Sequence, residues 1–401
     1  MKAGWQTKAL ADTCEVFADG DWIESKDQSS DGIRLIQTGN VGEGEFKDRG
    51  EKARYISEAT FKRLRCTEIF EGDCLISRLP DPAGRSCMLP NTRERMITAV
   101  DCTIVRFNVR EIVPTFFNYF SQSVDYLSAV DSDTTGTTRK RISRSKLGQI
   151  PLPVPPLAEQ QRIVDILDDA FDGIATAKVN AERNLQNTRA LFERHLQSTF
   201  AKSDALGPLT ALGALSEKIT DGTHNSPAYV LEGVAMLDSK HVRLGFTIDD
   251  SEPEKFISRE TDDTLAKRCK PRAGDILISS RGSIGKIAIV RDGQDFNIMG
   301  NMILLRLPSN ISRRFIAFYL LSQVAHIESI ARGVAQKGLY LSQVREYLIP
   351  LPPEQLQAII ANELSLLFEE TQRLESLYQR KLTALDELKK SLLHQAFSGA
   401  L

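Results

Sequence analysis

The sequence predicts an α+β protein: a tandem repeat of two globular domains separated by two long helices that form an antiparallel coiled coil. Three observations lead there. The chain matches itself at a shift near 200 residues, and each half holds short apolar runs punctuated by Gly, Asp and Pro. Each half then closes on a proline-led stretch that gives way to a long run of helical periodicity.

The repeat is collinear. Leu10, Glu15 and Asp19-Gly20 fall on Leu212, Glu217 and Asp221-Gly222 at a shift of 202. Gly72-Asp73 with Leu75-Ile76-Ser77 falls on Gly274-Asp275 with Leu277-Ile278-Ser279, and Arg106 falls on Arg306. Ile150-Pro151-Leu152-Pro153 returns as Ile349-Pro350-Leu351-Pro352 at 199. Phe171, Leu185, Leu191, Leu196 and Phe200 meet Phe368, Leu382, Leu388, Leu393 and Phe397 at 197. Single coincidences of apolar residues mean little. A shift that drifts by so few residues along the whole chain means duplication.

Within each half, residues 32–36, 74–77, 103–107, 275–279 and 286–290 read as short strands bounded by turn formers. Residues 114–130 and 312–330 read as helices whose aromatics, Phe116, Phe117, Tyr119 and Phe120 against Phe315, Phe318 and Tyr319, belong to a core. The prolines of residues 150–156 enforce an extended segment. From 158 to 201 there is no proline and one glycine, Gly173. Ile163, Leu167, Ala170, Ile174, Ala181, Leu185, Thr188, Phe192 and Phe200 recur at steps near 3.5. Residues 354–395 repeat the pattern with Leu367, Leu374, Tyr378, Leu382, Leu385, Leu388 and Leu392. Such helices, about 60 Å long at 1.5 Å per residue, need a partner for their stripes. Mutual burial as an antiparallel pair, one globular domain at each end, satisfies both. Helices packed each on its own domain are the alternative. The expected divisions are residues 1–152, 153–201, 202–351 and 352–401.

Bulk properties exclude several classes. No apolar run approaches the ~20 residues a membrane helix needs, and the first residues hold no secretion signal. A cytoplasmic protein with reduced thiols is expected, since the six cysteines form no C-x-x-C pair. The stretch 280–287 imitates a P-loop but has Ser280 for its first glycine and Ile287 where magnesium needs a hydroxyl. No amino-methyltransferase tetrapeptide and no nucleophile–base set is present. The sequence therefore offers no catalytic residue, metal site or cofactor site. A net charge of −2 leaves nucleic-acid affinity to local patches or to a basic partner.

Two kinds of segment fit DNA. Thr135 and Thr137 precede Arg139 and Lys140, and the matching place in the second half holds Lys337; small hydroxyl residues and cations suit phosphates. Past the Gly-Asp pairs the halves diverge into Arg78 and Arg85 in one, and Ser280, Arg281, Ser283 and Lys286 in the other. Asn40 and Lys240-His241 stand at corresponding points. These residue types make the favoured base contacts. One scaffold with two different loop sets would read two different short words.

The run from Ile150 through Pro155-Pro156-Leu157-Ala158-Glu159-Gln160-Gln161 to Val164, opening a long helix, resembles the central conserved region of type I restriction–modification specificity (S) subunits. Ile349-Pro350-Leu351-Pro352-Pro353-Glu354-Gln355 resembles the distal one, and residues 274–286 resemble the family's target-recognition domains. The resemblance implies two target-recognition domains that each read half of a split double-stranded DNA sequence. It also implies recruitment of two methyltransferase (M) subunits and, through them, restriction (R) subunits. S-adenosylmethionine, magnesium and ATP would sit on those partners. Leu167, Ile174, Leu185, Phe192, Leu367, Leu374, Leu382 and Leu385 would form the helix pair and partner interface. Between Pro-Pro and Glu-Gln the first copy has Leu157-Ala158 and the second nothing, which predicts unlike starts for the two helices. The competing reading is a non-catalytic coiled-coil scaffold whose repeated domains bind protein.

Overall fold

The computed structural model describes residues 4–136, 140–201, 203–333 and 337–401. It divides into two compact units, Met1–Ala181 with Lys381–Leu401, and Glu182–Arg380.

The first unit is built on a four-stranded antiparallel sheet in the order Cys14–Asp19, Cys102–Phe107, Cys74–Ser77, Ser86–Met88. A five-stranded sheet lies beside it in the chain's course, with Ile33–Ile36 at its centre, parallel to Met96–Thr98 and antiparallel to Arg54–Ile56. Ile33–Ile36 and Cys74–Ser77 are buried at every position, Arg34 and Ser77 included, which explains why both read as mostly apolar runs without alternation. The second unit repeats the plan: Lys218–Asp221, Met302–Arg306, Ile276–Ser279, Ile287–Ile289, with a second sheet around Val234–Leu237.

The repeated Gly-Asp pair and the repeated Arg turn out to be one device. Asp73, 2% exposed, accepts from Arg106 Nε and Nη2 at 2.7 and 2.6 Å and from the Phe70 backbone N–H at 2.9 Å. Asp275 accepts from Arg306 at 2.8 and 2.7 Å and from the Arg272 N–H at 2.8 Å. The preceding Gly72 and Gly274 have φ of 85° and 84°, which an L side chain resists. A bidentate, charge-assisted pair so closes the turn before a core strand.

The two long helices are continuous, Leu157–Phe200 and Glu354–Ser398. Each contributes to both units. In the first unit Ile163, Val164 and Leu167 share a core with Leu393, Ala396 and Phe397. Phe397 meets Phe116 and Phe120 edge-on, both at 5.2 Å between centroids. Lys178 pairs with Asp386, and Arg162 donates to the Leu401 carbonyl at 2.8 Å, so the helices run antiparallel. In the second unit Phe192 lies 5.1 Å from Phe368, Arg189 pairs with Glu375 and His195 with Glu363, both at 3.1 Å, again antiparallel. The expected coiled-coil pairing is therefore present in each unit. Each core also takes in the neighbouring globular domain, so the helices pack on both. Leu167, Ile174 and Phe192 are buried, and Leu185, Leu367, Leu374, Leu382 and Leu385 half-buried. Leu388 departs from the stripe: it is 46% exposed, and its repeat equivalent Leu191 is 63% exposed.

The proline-led segments become Pro151–Val154, paired with Gln6–Ala9, and Leu348–Pro350, paired with Leu209–Ala211. Next comes a glutamine with no solvent access. Gln160 accepts from the Val113 N–H at 2.9 Å and donates to the Glu111 and Pro155 carbonyls at 2.7 and 2.8 Å. Gln357 accepts from the Ser312 N–H at 3.0 Å and donates to the Pro352 carbonyl at 2.8 Å. These bonds correct the expected alignment. The partner of Gln160 is Gln357, not Gln355, at the constant shift of 197, so no residues are missing and both helices start with the same clamp.

Candidate nucleic-acid interface

One end of each four-stranded sheet gathers segments far apart in sequence. In the first unit the register sets Asp19 opposite Thr103, Cys102 opposite Ser77 and Ile76 opposite Ser86. Beyond that end lie Gly20 to Trp22, the turn through Asp101, the loop from Arg78 to Arg85, and the loop that begins at Thr135. The Asp101 carbonyl accepts from the Arg78 backbone N–H at 2.9 Å, and the Arg78 carbonyl accepts from the Ile142 N–H at 3.2 Å. A backbone bridge between Thr135 and Arg141 pinches the last loop. The second unit repeats the wiring. The Asn301 carbonyl accepts from the Ser280 backbone N–H and the Ser280 carbonyl from the Leu339 N–H, both at 2.9 Å, and a bridge joins Arg332 to Gly338. A further bridge joins Arg281 to Gly338.

Gly20 and Gly222 fix the first of these segments. A Cβ at Gly20 would overlap the Ala99 carbonyl, and one at Gly222 the Ile298 and Met299 carbonyls. The repeated Asp-Gly marks this close backbone crossing.

The structure sorts the sequence-derived candidates by exposure. Several are engaged inside the domain. Arg78, 4% exposed, donates to the Val100 carbonyl and pairs with Asp19 at 3.1 Å. Arg85 donates to the carbonyls of Val41, Leu79, Pro82 and Thr38 at 2.8 to 3.0 Å, tying this loop to the turn Thr38–Asn40. Burial draws both guanidinium pKa values down. Asn40 and His241 cap their own turns: Asn40 accepts from the Gln37 N–H at 3.0 Å and His241 from the Asp238 N–H at 3.1 Å. Ser280 is buried. An Arg or Asn following a strand carries no mark in the sequence that separates a domain clamp from a ligand contact.

The exposed candidates differ between units. In the first, Lys140 pairs with Asp131 at 3.0 Å, Arg141 with Asp101 at 3.0 Å, and Lys146 with Asp133 at 3.5 Å. Thr135 is exposed; Thr137 and Arg139 lie outside the described residues. In the second, Arg281, Ser283, Lys286 and Lys337 are exposed. Arg281, Lys286 and Lys337 have no side-chain ion pair or hydrogen bond among the described residues. Lys240 pairs with Glu254. Arg281 and Ser280 line a cleft of about 380 Å³ with Asp221, His224, Gly338 and Tyr340. Ser283 and Lys286 face elsewhere, into a cleft of about 530 Å³ walled by Leu244, Phe246, Ile284 and Phe368.

His224 was not anticipated. Its ring lies 2.6 Å from Asp221, whose other carboxylate oxygen takes Arg268. Trp22 and Tyr340, also exposed at the same sheet ends, were missed as well. The available signal was the matched Asp-Gly pair: the shift of 202 that relates Gly20 to Gly222 places Trp22 on His224.

Among the described residues no group of three or more His, Cys, Asp or Glu could hold a metal ion, and no helix is long and apolar enough to cross a membrane. All six cysteines are free. Burial raises the thiols of Cys14, Cys66, Cys102 and Cys269 to about 11 and Cys87 to about 12, so none is a ready nucleophile.

Residues 2–184 and 250–383 match the family model of the type I restriction modification DNA specificity domain. The type I restriction enzyme EcoBI specificity subunit of Escherichia coli is 28% identical over 309 residues, 69% of this chain and 64% of that protein. The EcoKI specificity subunit of Escherichia coli strain K12 is 22% identical over 306 residues, 71% and 65%. These matches span a little under two thirds of either relative. The fold is shared over 100% of this chain with a chain from a study of complex assembly and conformational transition in the type I R-M system, at a TM-score of 0.81, 18% identity and 99% coverage of that chain. The HsdS subunit from Thermoanaerobacter tengcongensis matches at 0.65, with 18% identity over 100% of this chain and 98% of that one.

Proposed function

We propose, on the premise that the chain belongs to the type I restriction modification DNA specificity family, that it is the DNA-reading subunit of such a system and performs no chemistry itself. Each unit reads one half of a bipartite double-stranded target. The helices recruit two methyltransferase subunits, which in turn hold the restriction subunits; S-adenosylmethionine, magnesium and ATP belong to those partners.

One observation carries the reading. The same sheet end is wired twice from the same four sequence-distant segments, and the side chains it presents differ: paired cations with Trp22 in one unit, and in the other Arg281 and Lys337, without an ion pair among the described residues, with His224 and Tyr340. A fixed backbone with exchanged side chains is what reading two different words requires. For partner recruitment the support is Leu191 and Leu388, repeat-related and exposed on a long helix, one in each unit. Their matched places on the repeat, rather than exposure alone, are what suit two like partners.

Coexpression with a methyltransferase subunit and titration against target duplex at several salt concentrations tests this. Contacts to several phosphates make the logarithm of affinity fall steeply with the logarithm of salt, by about 0.9 per phosphate. Near-constant affinity for protein partners and no salt-sensitive DNA binding would favour the protein-binding scaffold instead.

A further inference from the structure

Trp22 is 68% exposed, more than any other exposed aromatic among the described residues. Phe70, at 51%, is at least covered on one face by the Arg106 guanidinium, 5.1 Å from its centroid. Among the described residues Trp22 has no such cover. Its indole N–H donates to Glu24 at 3.4 Å.

The backbone beneath it is held hard. Gly20 N–H donates to the Cys102 carbonyl at 2.9 Å and Asp21 N–H to the Thr98 carbonyl at 2.8 Å. The Asp21 carboxylate accepts from the Thr67 N–H at 2.9 Å, and Gly20 leaves no room for a Cβ. A large apolar ring thus stands mostly in water, just after a backbone stretch held by hydrogen bonds, and outside the buried core. Folding alone gives no reason for a tryptophan there. Arg141, ion-paired to Asp101, and Arg144, beside Asp19, stand at the same sheet end. The equivalent position in the second unit also holds an exposed ring, His224, oriented by Asp221 at 2.6 Å. Two independent copies of one turn each present a planar ring at the end where the variable loops meet.

We propose that Trp22 is a base-contacting residue of the first unit, packing its indole face on a base of the half-site that this unit reads. This rests on the DNA-reading role argued above. An aromatic face stacks on any base and contributes about 1–3 kcal/mol by alanine substitution in single-strand complexes. Apolar side chains also enter base steps of duplex DNA. Preorganisation on a rigid turn lowers the ordering cost of either contact. His224 is the corresponding ring in the second unit.

The test uses the complex with coexpressed methyltransferase and a duplex carrying the target found by mapping methylated adenines. Trp22→Ala is expected to weaken binding by roughly 5- to 150-fold, the range that stacking loss implies, while Trp22→Phe stays within about threefold. The fluorescence difference between wild type and Trp22→Phe isolates this indole and is expected to be quenched on saturation with duplex. Trp22→Ala binding within twofold of wild type, or a difference signal that DNA leaves unchanged, overturns the assignment. Because the side chain is exposed, an unaltered melting curve for Trp22→Ala excludes a folding defect. Failure of the wild-type complex to bind DNA at all would strike the functional reading rather than the role of Trp22.

Discussion

Replacing Gln160 by Met keeps the length and bulk of the side chain and removes its hydrogen bonds. Left behind are the Val113 N–H and the carbonyls of Glu111 and Pro155, now 2.9, 2.7 and 2.8 Å from the amide, around a side chain with no solvent access. Stranding a buried polar group costs about 1–3 kcal/mol, so three give about 3 kcal/mol at the low end. A domain of 150–250 residues loses ~2–4 °C per kcal/mol, so the melting midpoint should fall by roughly 6–12 °C. Gln357→Met strands only the Ser312 N–H and the Pro352 carbonyl, for about 2 kcal/mol. Both tryptophans of the chain, Trp5 and Trp22, lie in the first unit, and Trp5 is in its core. Tryptophan fluorescence therefore follows the unit that contains Gln160. The expected result is a lowered fluorescence midpoint for Gln160→Met and a smaller loss, by circular dichroism, for Gln357→Met. A cost under about 1 kcal/mol for Gln160→Met, or the reverse ranking, would refute the reasoning.

Arg281→Ala removes an exposed guanidinium from the cleft of the second unit and should relax recognition at one half-site by about 1–3 kcal/mol; equal loss at both halves, read by methylation mapping, would contradict separate reading. Arg306→Ala leaves the Asp275 carboxylate, 3% exposed as a side chain, without its cation. Removing one partner of a buried pair costs about 3–5 kcal/mol, and the 17% exposure of Arg306 places this case near the low end; a urea midpoint close to wild type would show that the pair does not secure the turn. Leu374→Asp with Leu385→Asp sets a carboxylate into the half-buried helix seam of each unit and should abolish copurification of the methyltransferase, whereas an intact complex would count against the helix pair as the assembly element.

The repeat, the long helices and their antiparallel pairing were legible because each leaves a periodic or collinear trace: Leu167, Ile174 and Phe192 are buried as their spacing demands. The Gly-Asp pairs were visible as matches, but their meaning was not. The guanidiniums that complete them, Arg106 and Arg306, arrive from a strand about thirty residues on, and sequence does not state which apolar strand lies alongside. The helix starts were misaligned for a related reason. Glu-Gln is the conspicuous dipeptide, yet the functional glutamine is the one whose amide faces the prolines, Gln357. Site residues were the least legible. Arg78 and Arg85 resemble Arg281 in the sequence, but Arg78 is buried and Arg85 half-buried, both spent on internal oxygens, whereas Arg281 is exposed. Leu191 and Leu388 continue an apolar pattern into solvent, which periodicity alone does not distinguish from burial.

The most direct test is the sequence of the DNA that becomes modified. Coexpressing the chain with the methyltransferase subunit proposed as its partner, in a host lacking other adenine methylation, then mapping methylated adenines across the genome, should reveal two short specific words separated by a non-specific gap of constant length. A single uninterrupted word, or methylation indifferent to the presence of this chain, would contradict the two-reader account.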